Sequence, residues 1–294
     1  MKRRLFCALG LLLPWLATAE PVSIEHQGVK LNSELRLAEG KQLADGVVVL
    51  LHGTIAHHRM EIITALEQAL NDRGLNTLAV NLGYNISDRA GMLPCEVKHT
   101  HRHEDAVAEL NLWLEWLKSR GAGEVVLAGH SRAGNQVMWF DAEHPKASGA
   151  KIVLIAPMTW DAAEDGKALE ARGAKSTAAL LQQARDKVKA GQGGETLKDV
   201  PFIYCEKAEA SADAIISYHG DDPRKHTPNL LKATEKQVLV ITGTDDPLTA
   251  KLQPGLSALG DSKTVRVESV NGADHFFRDL YAEDVADLIV GFLR

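Results

Sequence analysis

Short apolar runs alternate with helical patterns along most of this chain, and this alternation restricts the fold more than any other feature of the sequence. Segments with an apolar face at helical spacing, such as 60–73 and 104–120, lie between the runs. The runs are 46–53, 75–80, 124–130, 151–158, 237–243 and 263–270. Strands joined by helices pair in parallel through right-handed crossovers, and continuously apolar strands need cover on both faces. The pattern therefore predicts an α/β fold with a mostly parallel central sheet and helices on both faces.

Two segments depart from the alternation. Residues 159–236 hold no comparable apolar run, and within them 178–190 shows an amphipathic helical pattern. We interpret 159–236 as a helical insertion into a single domain spanning 20–294, rather than as a second core. Upstream, residues 22–38 alternate in polarity around a Gly-containing turn, which predicts an antiparallel hairpin at the edge of the sheet.

The first 19 residues have the features of a secretory signal peptide. Positive residues at 2–4 precede an apolar run at 5–16, and Ala-Thr-Ala at 17–19 fits the A-x-A cleavage pattern. The run is too short for a permanent membrane anchor, although an uncleaved anchor and a lipoprotein linked through Cys7 are alternatives. We predict cleavage after Ala19 and a periplasmic or secreted protein.

The charge distribution argues against two classes of partner. The formal net charge is −6, and no block of Lys and Arg stands out. A nucleic-acid footprint and a polybasic membrane patch are therefore not indicated. After residue 19 no apolar stretch reaches 18 residues, which predicts a soluble mature protein.

Two cysteines follow the predicted signal peptide, Cys95 and Cys205. Because cysteines of exported proteins often pair, these two are candidates for a disulfide that would tie distant segments together. Two separate thiols are the alternative.

A serine occupies an unusual position in the stretch EVVLAGHSRAGNQ. Ser131 follows an apolar strand that ends near Gly129, and Ala133-Gly134 leads directly into a helical pattern. This arrangement predicts a tight strand-turn-helix elbow with Ser131 at its apex. Such a turn exposes Oγ, and it directs the amide of Arg132 from a helix N-terminus toward a bound substrate oxygen.

A base and an acid follow two later strands. Asp245 and Asp246 come after the run at 237–243, and His275 lies in a Gly-containing loop after the run at 263–270. A serine hydroxyl needs a base to become nucleophilic, and the base needs a group that orients it. Because the carboxyl ends of parallel strands meet at one edge of a sheet, we expect these side chains to converge with Ser131.

The motifs LLHGT, GHSRAG, GTDDP and GADHFF, which follow one another in this order at strand ends, resemble those of the α/β-hydrolases. The resemblance covers about 46–294 apart from the insertion. Ala133 departs from the family pattern, which usually has Gly there. The resemblance implies that Ser131 is the nucleophile and that His275 is the general base and then the general acid.

The same resemblance guides the choice of the remaining site residues. Asp246 stands three residues after Gly243 and directly before Pro247, where the family has its catalytic acid, and this leaves Asp245 a turn or capping role. The backbone amides of Thr54 and Arg132 are implied as the oxyanion hole. His52 and His130, which precede the two turns, are implied to be structural.

The resemblance also implies that the insertion is a lid over the substrate pocket. Trp160, Phe202, Tyr204 and Tyr218 are its candidate pocket aromatics, although packing within the lid is the more ordinary role for each. A bond between Cys95 and Cys205 would fix the lid to the body of the domain.

A second group of histidines lies at 99–103. If that stretch is helical, His99 and His103 share one face, and imidazoles suit zinc. Because no acidic or Cys ligand set accompanies them, we predict no metal site and interpret the stretch as a polar approach to the following helix.

Basic residues near the predicted strand ends suggest a substrate preference. His57, His58, Arg59 and Arg132 form a candidate basic rim, which would favour an anionic substrate over a neutral one. Solvated side chains with no role in binding are the alternative.

The sequence as a whole favours an exported serine hydrolase that cleaves a small-molecule carboxylic ester without a cofactor. Thioesters, amides, peptides and acyl transfer are alternatives, because the same triad serves them. Aspartate-nucleophile dehalogenases and epoxide hydrolases are disfavoured by Ser131. A non-catalytic binding protein on the same fold is an alternative of another class.

Overall fold

A computed structural model describes residues 19–294 of the chain, and these residues form two sheets. The predicted signal peptide lies outside the described residues except for Ala19, the first residue of β1. In chain order the strands are β1 (Ala19–His26), β2 (Val29–Arg36), β3 (Val47–Leu51), β4 (Thr77–Val80), β5 (Lys98–His99), β6 (Val125–His130), β7 (Lys151–Ile155), β8 (Thr196–Phe202), β9 (Cys205–Ser211), β10 (Gln237–Gly243) and β11 (Val265–Val270).

The larger sheet has eight strands in the order β1-β2-β4-β3-β6-β7-β10-β11. All neighbours from β4 to β11 pair in parallel, whereas β1 and β2 run antiparallel at one edge. Gln27 and Gly28 connect β1 to β2 with φ of 49° and 79°. Positive φ at both residues of a two-residue loop is typical of the hairpin turn that matches strand twist. The predicted parallel sheet and edge hairpin are therefore confirmed.

Helices cover both faces of this sheet. The α-helices are α1 (Glu61–Asp72), α2 (Asp105–Ser119), α3 (Arg132–Glu143), α4 (Ala162–Ala171), α5 (Thr177–Lys189), α6 (Ala212–His219), α7 (Thr227–Ala233), α8 (Gln253–Ser257) and α9 (Tyr281–Leu293). Among the described residues, none of these helices combines the length and hydrophobicity needed to cross a bilayer.

Strand β3 shows why the sheet needs two covers. Its five residues are all buried, with Val49 and Leu51 on one face and Val48 and Leu50 on the other. The first face packs in a core with apolar residues of α2 and α3, and the second packs with those of α1 and α9. A strand buried on both faces gains apolar burial at every position, which explains the continuous apolar run.

The insertion at 159–236 is not wholly helical, which corrects the sequence-based expectation. It holds α4 to α7, including the predicted helix at 178–190, but also β8 and β9, which form a second sheet in the order β5-β9-β8. The sequences TLKDVPF and CEKAEAS mix charged, small and Pro residues and gave no strand signal. Their strand state comes from pairing with each other and with β5, across a long stretch of chain.

A disulfide joins this insertion to the rest of the domain. Cys95, in the loop before β5, lies 2.04 Å from Cys205 at the start of β9, measured between the two Sγ atoms. The two residues are 110 positions apart in the chain. The insertion is thus attached to the body by this bond and by the β5–β9 pairing.

Candidate active site

Ser131 stands at a strained turn between β6 and α3. Its φ of 58° and ψ of −121° are unfavourable for a residue with a side chain. The turn is tight enough that a Cβ on Gly129 would overlap the carbonyl of Ala133. Ala133 is fully buried where the family usually has glycine, so its methyl group fits the packing. Strain of this kind projects Oγ away from the backbone at the carboxyl edge of the sheet.

Three side chains from three strand ends form one hydrogen-bonded row. The Oγ of Ser131 lies 2.9 Å from Nε2 of His275, and Nδ1 of His275 lies 2.8 Å from Oδ2 of Asp246. All three residues are at least 92% buried. The arrangement can pass a proton from the hydroxyl to the imidazole while the carboxylate orients the ring.

The two adjacent aspartates differ sharply in environment. The Oδ1 of Asp246 accepts a hydrogen bond from the amide of Leu248 at 2.8 Å, so both carboxylate oxygens are engaged. Burial alone would raise the pKa of Asp246, but the hydrogen bond and charge of His275 outweigh burial and lower it. Asp245 is exposed and accepts a 3.2 Å bond from Thr244 in the turn. Only Asp246 is therefore placed to orient His275.

His130 supports the loop that carries His275. Its Nε2 lies 2.9 Å from the backbone carbonyl of His275, which makes that nitrogen the donor. Burial, and then the neighbouring His275, lower the pKa of His130 to about 4. A ring that stays neutral near pH 7 provides this hydrogen bond without placing a second charge beside the base.

The backbone of Gly53-Thr54 lies directly against Ser131. A Cβ on Gly53 would approach Cβ of Ser131 to 3.1 Å. Within 19–294 the amides of Thr54 and Arg132 have no hydrogen-bond acceptor. One amide follows β3 and the other begins α3, where the helix dipole favours negative charge. The pair can therefore stabilise an oxyanion formed on Ser131.

His52 fixes the orientation of the Gly53–Thr54 peptide. Its Nδ1 lies 2.9 Å from the carbonyl of Gly53, and its Nε2 accepts from the amide of Leu82 at 3.1 Å. Nε2 also faces the guanidinium of the buried Arg89 at 3.1 Å. Burial and then the charge of Arg89 hold the pKa of His52 well below its usual value. Because a peptide is planar, holding the Gly53 carbonyl also sets the direction of the Thr54 N–H.

The remaining histidines do not converge on a metal site. Residues 100–104 are not helical, so the condition under which His99 and His103 share a face is not met. His99 packs against Phe202, with ring centres 5.0 Å apart, whereas His103 bonds to Asn135 at 2.9 Å. In the described part of the chain, no group of three or more His, Cys, Asp or Glu side chains is placed to hold a metal ion.

A cavity of about 140 Å³ lies between Arg132, the residue after Ser131, and the insertion, and none of Ser131, Asp246 and His275 lines it. Two of the candidate aromatics, Trp160 and Tyr204, line it with Arg132 and Met158. The other two, Phe202 and Tyr218, are almost fully buried and pack against each other and against the histidines at 99–103. The pocket is thus formed jointly by the elbow and by residues far away in sequence.

Several residues near the site gave no signal in the sequence. The amide of Met158 donates to the carbonyl of Ser131 at 2.9 Å, Arg89 contacts His52 before the Gly53–Thr54 turn, and Asn135 contacts His103. Each of these contacts spans a loop or an element boundary. A spacing rule identifies motif residues, but it does not identify the partners that motif residues acquire through folding.

A sequence model of the alpha/beta hydrolase family matches residues 48–288. The chain therefore belongs to the alpha/beta hydrolase family. A search of curated proteins found no match.

Solved structures support the same fold at low sequence identity. Est1E from Butyrivibrio proteoclasticus aligns with a TM-score of 0.62 at 16% identity, covering 93% of this chain and 98% of Est1E. E-2-(acetamidomethylene)succinate hydrolase aligns with a TM-score of 0.60 at 19% identity, covering 94% and 99%. The thioesterase domain from the curacin biosynthetic pathway aligns with a TM-score of 0.58 at 15% identity, covering 93% and 99%. At these identities the likeness shows the fold alone.

Proposed function

We propose that this protein is an exported serine hydrolase that cleaves carboxylic esters of small molecules through an acyl-enzyme on Ser131. The observation that carries the proposal is the continuous row of hydrogen bonds from Ser131 through His275 to Asp246. A buried, oriented base beside a serine on a strained turn has an evident chemical use and no evident structural one.

The reaction would proceed in two halves. His275 Nε2 takes the proton of Ser131 Oγ as Oγ attacks the ester carbonyl, and the ring then protonates the leaving alcohol. In the second half the ring deprotonates a water molecule, which attacks the acyl-enzyme and releases the acid. Asp246 accepts from Nδ1 throughout and stabilises the imidazolium.

The backbone would stabilise the tetrahedral intermediates of both halves. The amides of Thr54 and Arg132 supply two hydrogen-bond donors, and one of them carries the positive end of the α3 dipole. Loss of one such donor typically reduces kcat by about 10²–10³-fold. This machinery acts on a carbonyl without a cofactor.

Two observations support an ester as the substrate class and export as the location. Structural neighbours include an esterase domain from a Rhodothermus marinus protein and the thioesterase domain from the curacin biosynthetic pathway. The charged start, apolar run and A-x-A pattern of residues 2–19 support export, and the Cys95–Cys205 pair suits an oxidising compartment.

The test is active-site labelling combined with a substrate panel. A fluorophosphonate probe should label the wild type and the Ser257→Ala control, which alters an exposed serine of α8, but not Ser131→Ala. Turnover of nitrophenyl esters of graded acyl length should fall by roughly 10⁴-fold or more in Ser131→Ala. A thioester and a peptide in the same panel separate the related activities. Absence of both labelling and turnover in the wild type would instead favour a binding protein.

A further inference from the structure

The structure reduces the candidate basic rim to one residue. Arg59 pairs with Glu34 at 3.0 Å, and burial lowers the pKa of His58 to about 4. The pKa of His57 is lowered too, first by burial and then by neighbouring arginines. Arg132 remains as a permanent cation next to the nucleophile, and no carboxylate of the described chain lies within ion-pair distance of it.

The guanidinium of Arg132 is held in place by uncharged groups. Its Nε donates to Oγ1 of Thr54 at 2.9 Å, and Nη1 lies 3.3 Å from Nδ1 of His103. Its central carbon lies 5.1 Å from the centre of the Tyr218 ring. These contacts fix the direction of the side chain without neutralising its charge.

The tautomer of His103 follows from its other partner. The amide nitrogen of Asn135 donates to the carbonyl of Arg224 at 3.0 Å and to Oγ1 of Thr227 at 3.1 Å. Oδ1 of Asn135 is therefore the acceptor in its 2.9 Å contact with Nε2 of His103. The proton of His103 thus sits on Nε2, and Nδ1 accepts from Arg132. Burial, and then the charge of Arg132, keep the pKa of His103 well below its usual value.

The cavity that Arg132 lines also contains three carboxylates. Each of them forms a hydrogen bond or an ion pair with a group other than Arg132. Asp161 caps α4 through a 2.9 Å bond, and Glu164 pairs with Lys251 at 3.1 Å. Asp165 lies 2.9 Å from the ring of His219. None of these acids lies within ion-pair distance of Arg132, and its second terminal nitrogen, Nη2, has no acceptor among residues 19–294.

We infer that Arg132 determines specificity, and that the substrate is an ester bearing a carboxylate a short distance from the scissile bond. The inference rests on the proposed hydrolase function. The guanidinium belongs to the residue directly after Ser131 and donates at 2.9 Å to the side chain of Thr54, the other proposed oxyanion-hole residue, so a group bound to it would lie near the reacting carbonyl. A planar guanidinium with open N–H groups fits a carboxylate, and a half-buried unpaired cation gains from the ion pair more than an exposed one does.

The experiment compares two substrates that differ in charge and almost nothing else. Monoethyl succinate is the anionic ester, and ethyl succinamate replaces its carboxylate with an isosteric neutral amide. The ratio of their kcat/KM values cancels effects on the shared ester chemistry, including any shift of the Arg132 amide. Monoethyl glutarate and adipate locate the preferred spacing.

Four forms of the full-length mature protein carry the comparison: wild type, Arg132→Gln, Arg132→Lys and Arg172→Gln. Arg172 is a matched control, because it is a second arginine of the same cavity, but its guanidinium bonds to the carbonyl of Ala168 in α4 and not to Thr54. We expect a ratio of about 10 or more in the wild type and in Arg172→Gln. The ratio should fall near 1 in Arg132→Gln and be intermediate in Arg132→Lys.

Other outcomes overturn the inference in distinguishable ways. A wild-type ratio near 1 with good turnover of neutral esters removes the carboxylate preference and leaves the hydrolase proposal intact. An unchanged ratio in Arg132→Gln, or an equal fall in Arg172→Gln, shows that the Arg132 guanidinium is not the group that distinguishes the anionic ester from the neutral one. Absence of fluorophosphonate labelling in the wild type defeats the hydrolase proposal and this inference with it.

Inhibitor protection decides the case in which the protein is labelled but none of these esters turns over. Succinate or glutarate should then slow fluorophosphonate labelling of the wild type, and this protection should be lost in Arg132→Gln. Protection that is absent, or equal in both forms, overturns the inference.

Discussion

The carboxyl edge of the large sheet and the insertion at 159–236 are organised in different ways. At the sheet edge, each key side chain follows its own strand within a few residues, and the parallel strands bring these ends together. In the insertion, the strands pair with each other and with β5 from an earlier part of the chain, and a disulfide adds a second link. The first region is positioned by the sheet and the second by long-range contacts.

This difference separates chemistry from selectivity. The row Ser131–His275–Asp246 depends on turns directly after β6, β10 and β11, so it requires little from the insertion. The cavity that Arg132 lines is otherwise formed mainly by residues between 158 and 172 and by residues 203, 204 and 219. We therefore expect changes of Ser131, His275 and Asp246 to alter the rate of reaction, and changes in the insertion to alter stability and, together with Arg132, substrate choice.

The largest effect is expected where the sheet edge is altered directly. Asp246→Asn should reduce kcat by about 10³–10⁴-fold, because an amide at this position favours the wrong tautomer of His275. Asp245→Asn alters the exposed neighbour and is the matched control, expected to stay within about threefold. Rates on one nitrophenyl ester measure both. If Asp245→Asn were the more damaging change, the acid of the triad would have to be reassigned.

The sequence predicted the sheet edge well for a physical reason. A strand end, a tight turn and a helix start are local features, so GHSRAG and GTDDP identify Ser131 and Asp246 without knowledge of distant contacts. Parallel pairing then explains how residues 144 positions apart come within hydrogen-bond distance. The choice of Asp246 over Asp245 also followed from the sequence, since family spacing selects the residue three positions after Gly243.

The insertion and the supports of the site were not predictable in the same way. The strand state of CEKAEAS depends on partners that the segment itself does not encode. The roles of Arg89 and Asn135 likewise arise from contacts made across loops after folding. The sequence made Cys95 and Cys205 candidates for a disulfide. Only their proximity in the folded chain decides between a bond and two separate thiols.

Removing the disulfide tests whether the two regions are energetically separable. Cys95→Ala combined with Cys205→Ala should lower the free energy of unfolding by about 3–5 kcal/mol, because the bond closes a long loop and restricts the unfolded chain. Denaturant unfolding gives this value. At 25 °C the folded variant should still react with a fluorophosphonate within about threefold of the wild-type rate. A collapse of labelling in the folded variant would show that the sheet edge depends on the insertion.

A smaller effect is expected from the support behind the oxyanion hole. His52→Gln keeps an acceptor near the position of Nε2 but loses the donor to Gly53, so kcat should fall by about 10–100-fold with little change in KM. His52→Asn keeps a donor near the position of Nδ1 and should retain more of kcat. Both variants disturb the buried contact with Arg89 and should lose similar stability. Equal losses of kcat in the two variants would argue against orientation of the Thr54 amide by His52.

The smallest effect is expected in α1, which covers the sheet away from both regions. It appears only as a dependence of stability on pH. Glu67 of α1 is fully buried, and its Oε2 has no partner in the described part of the chain. Burial, and then the charge of Glu34, raise the pKa of Glu67 to about 7 from an ordinary value of 4.5. Between these two values the folded state binds more protons than the unfolded state, so this group makes the protein less stable as pH rises.

Glu67→Gln removes that loss, and its stability relative to wild type should increase by roughly 1–3 kcal/mol from pH 5 to pH 8. The exposed Glu61→Gln on the same helix is the control, and unfolding in denaturant at the two pH values is the measurement. Glu109, whose pKa burial also raises to about 7, stays in place, so the variant keeps part of the wild-type pH dependence. A Glu67→Gln effect of equal size at both pH values would mean that this carboxyl does not titrate within the window, and the site rates should remain unchanged in either case.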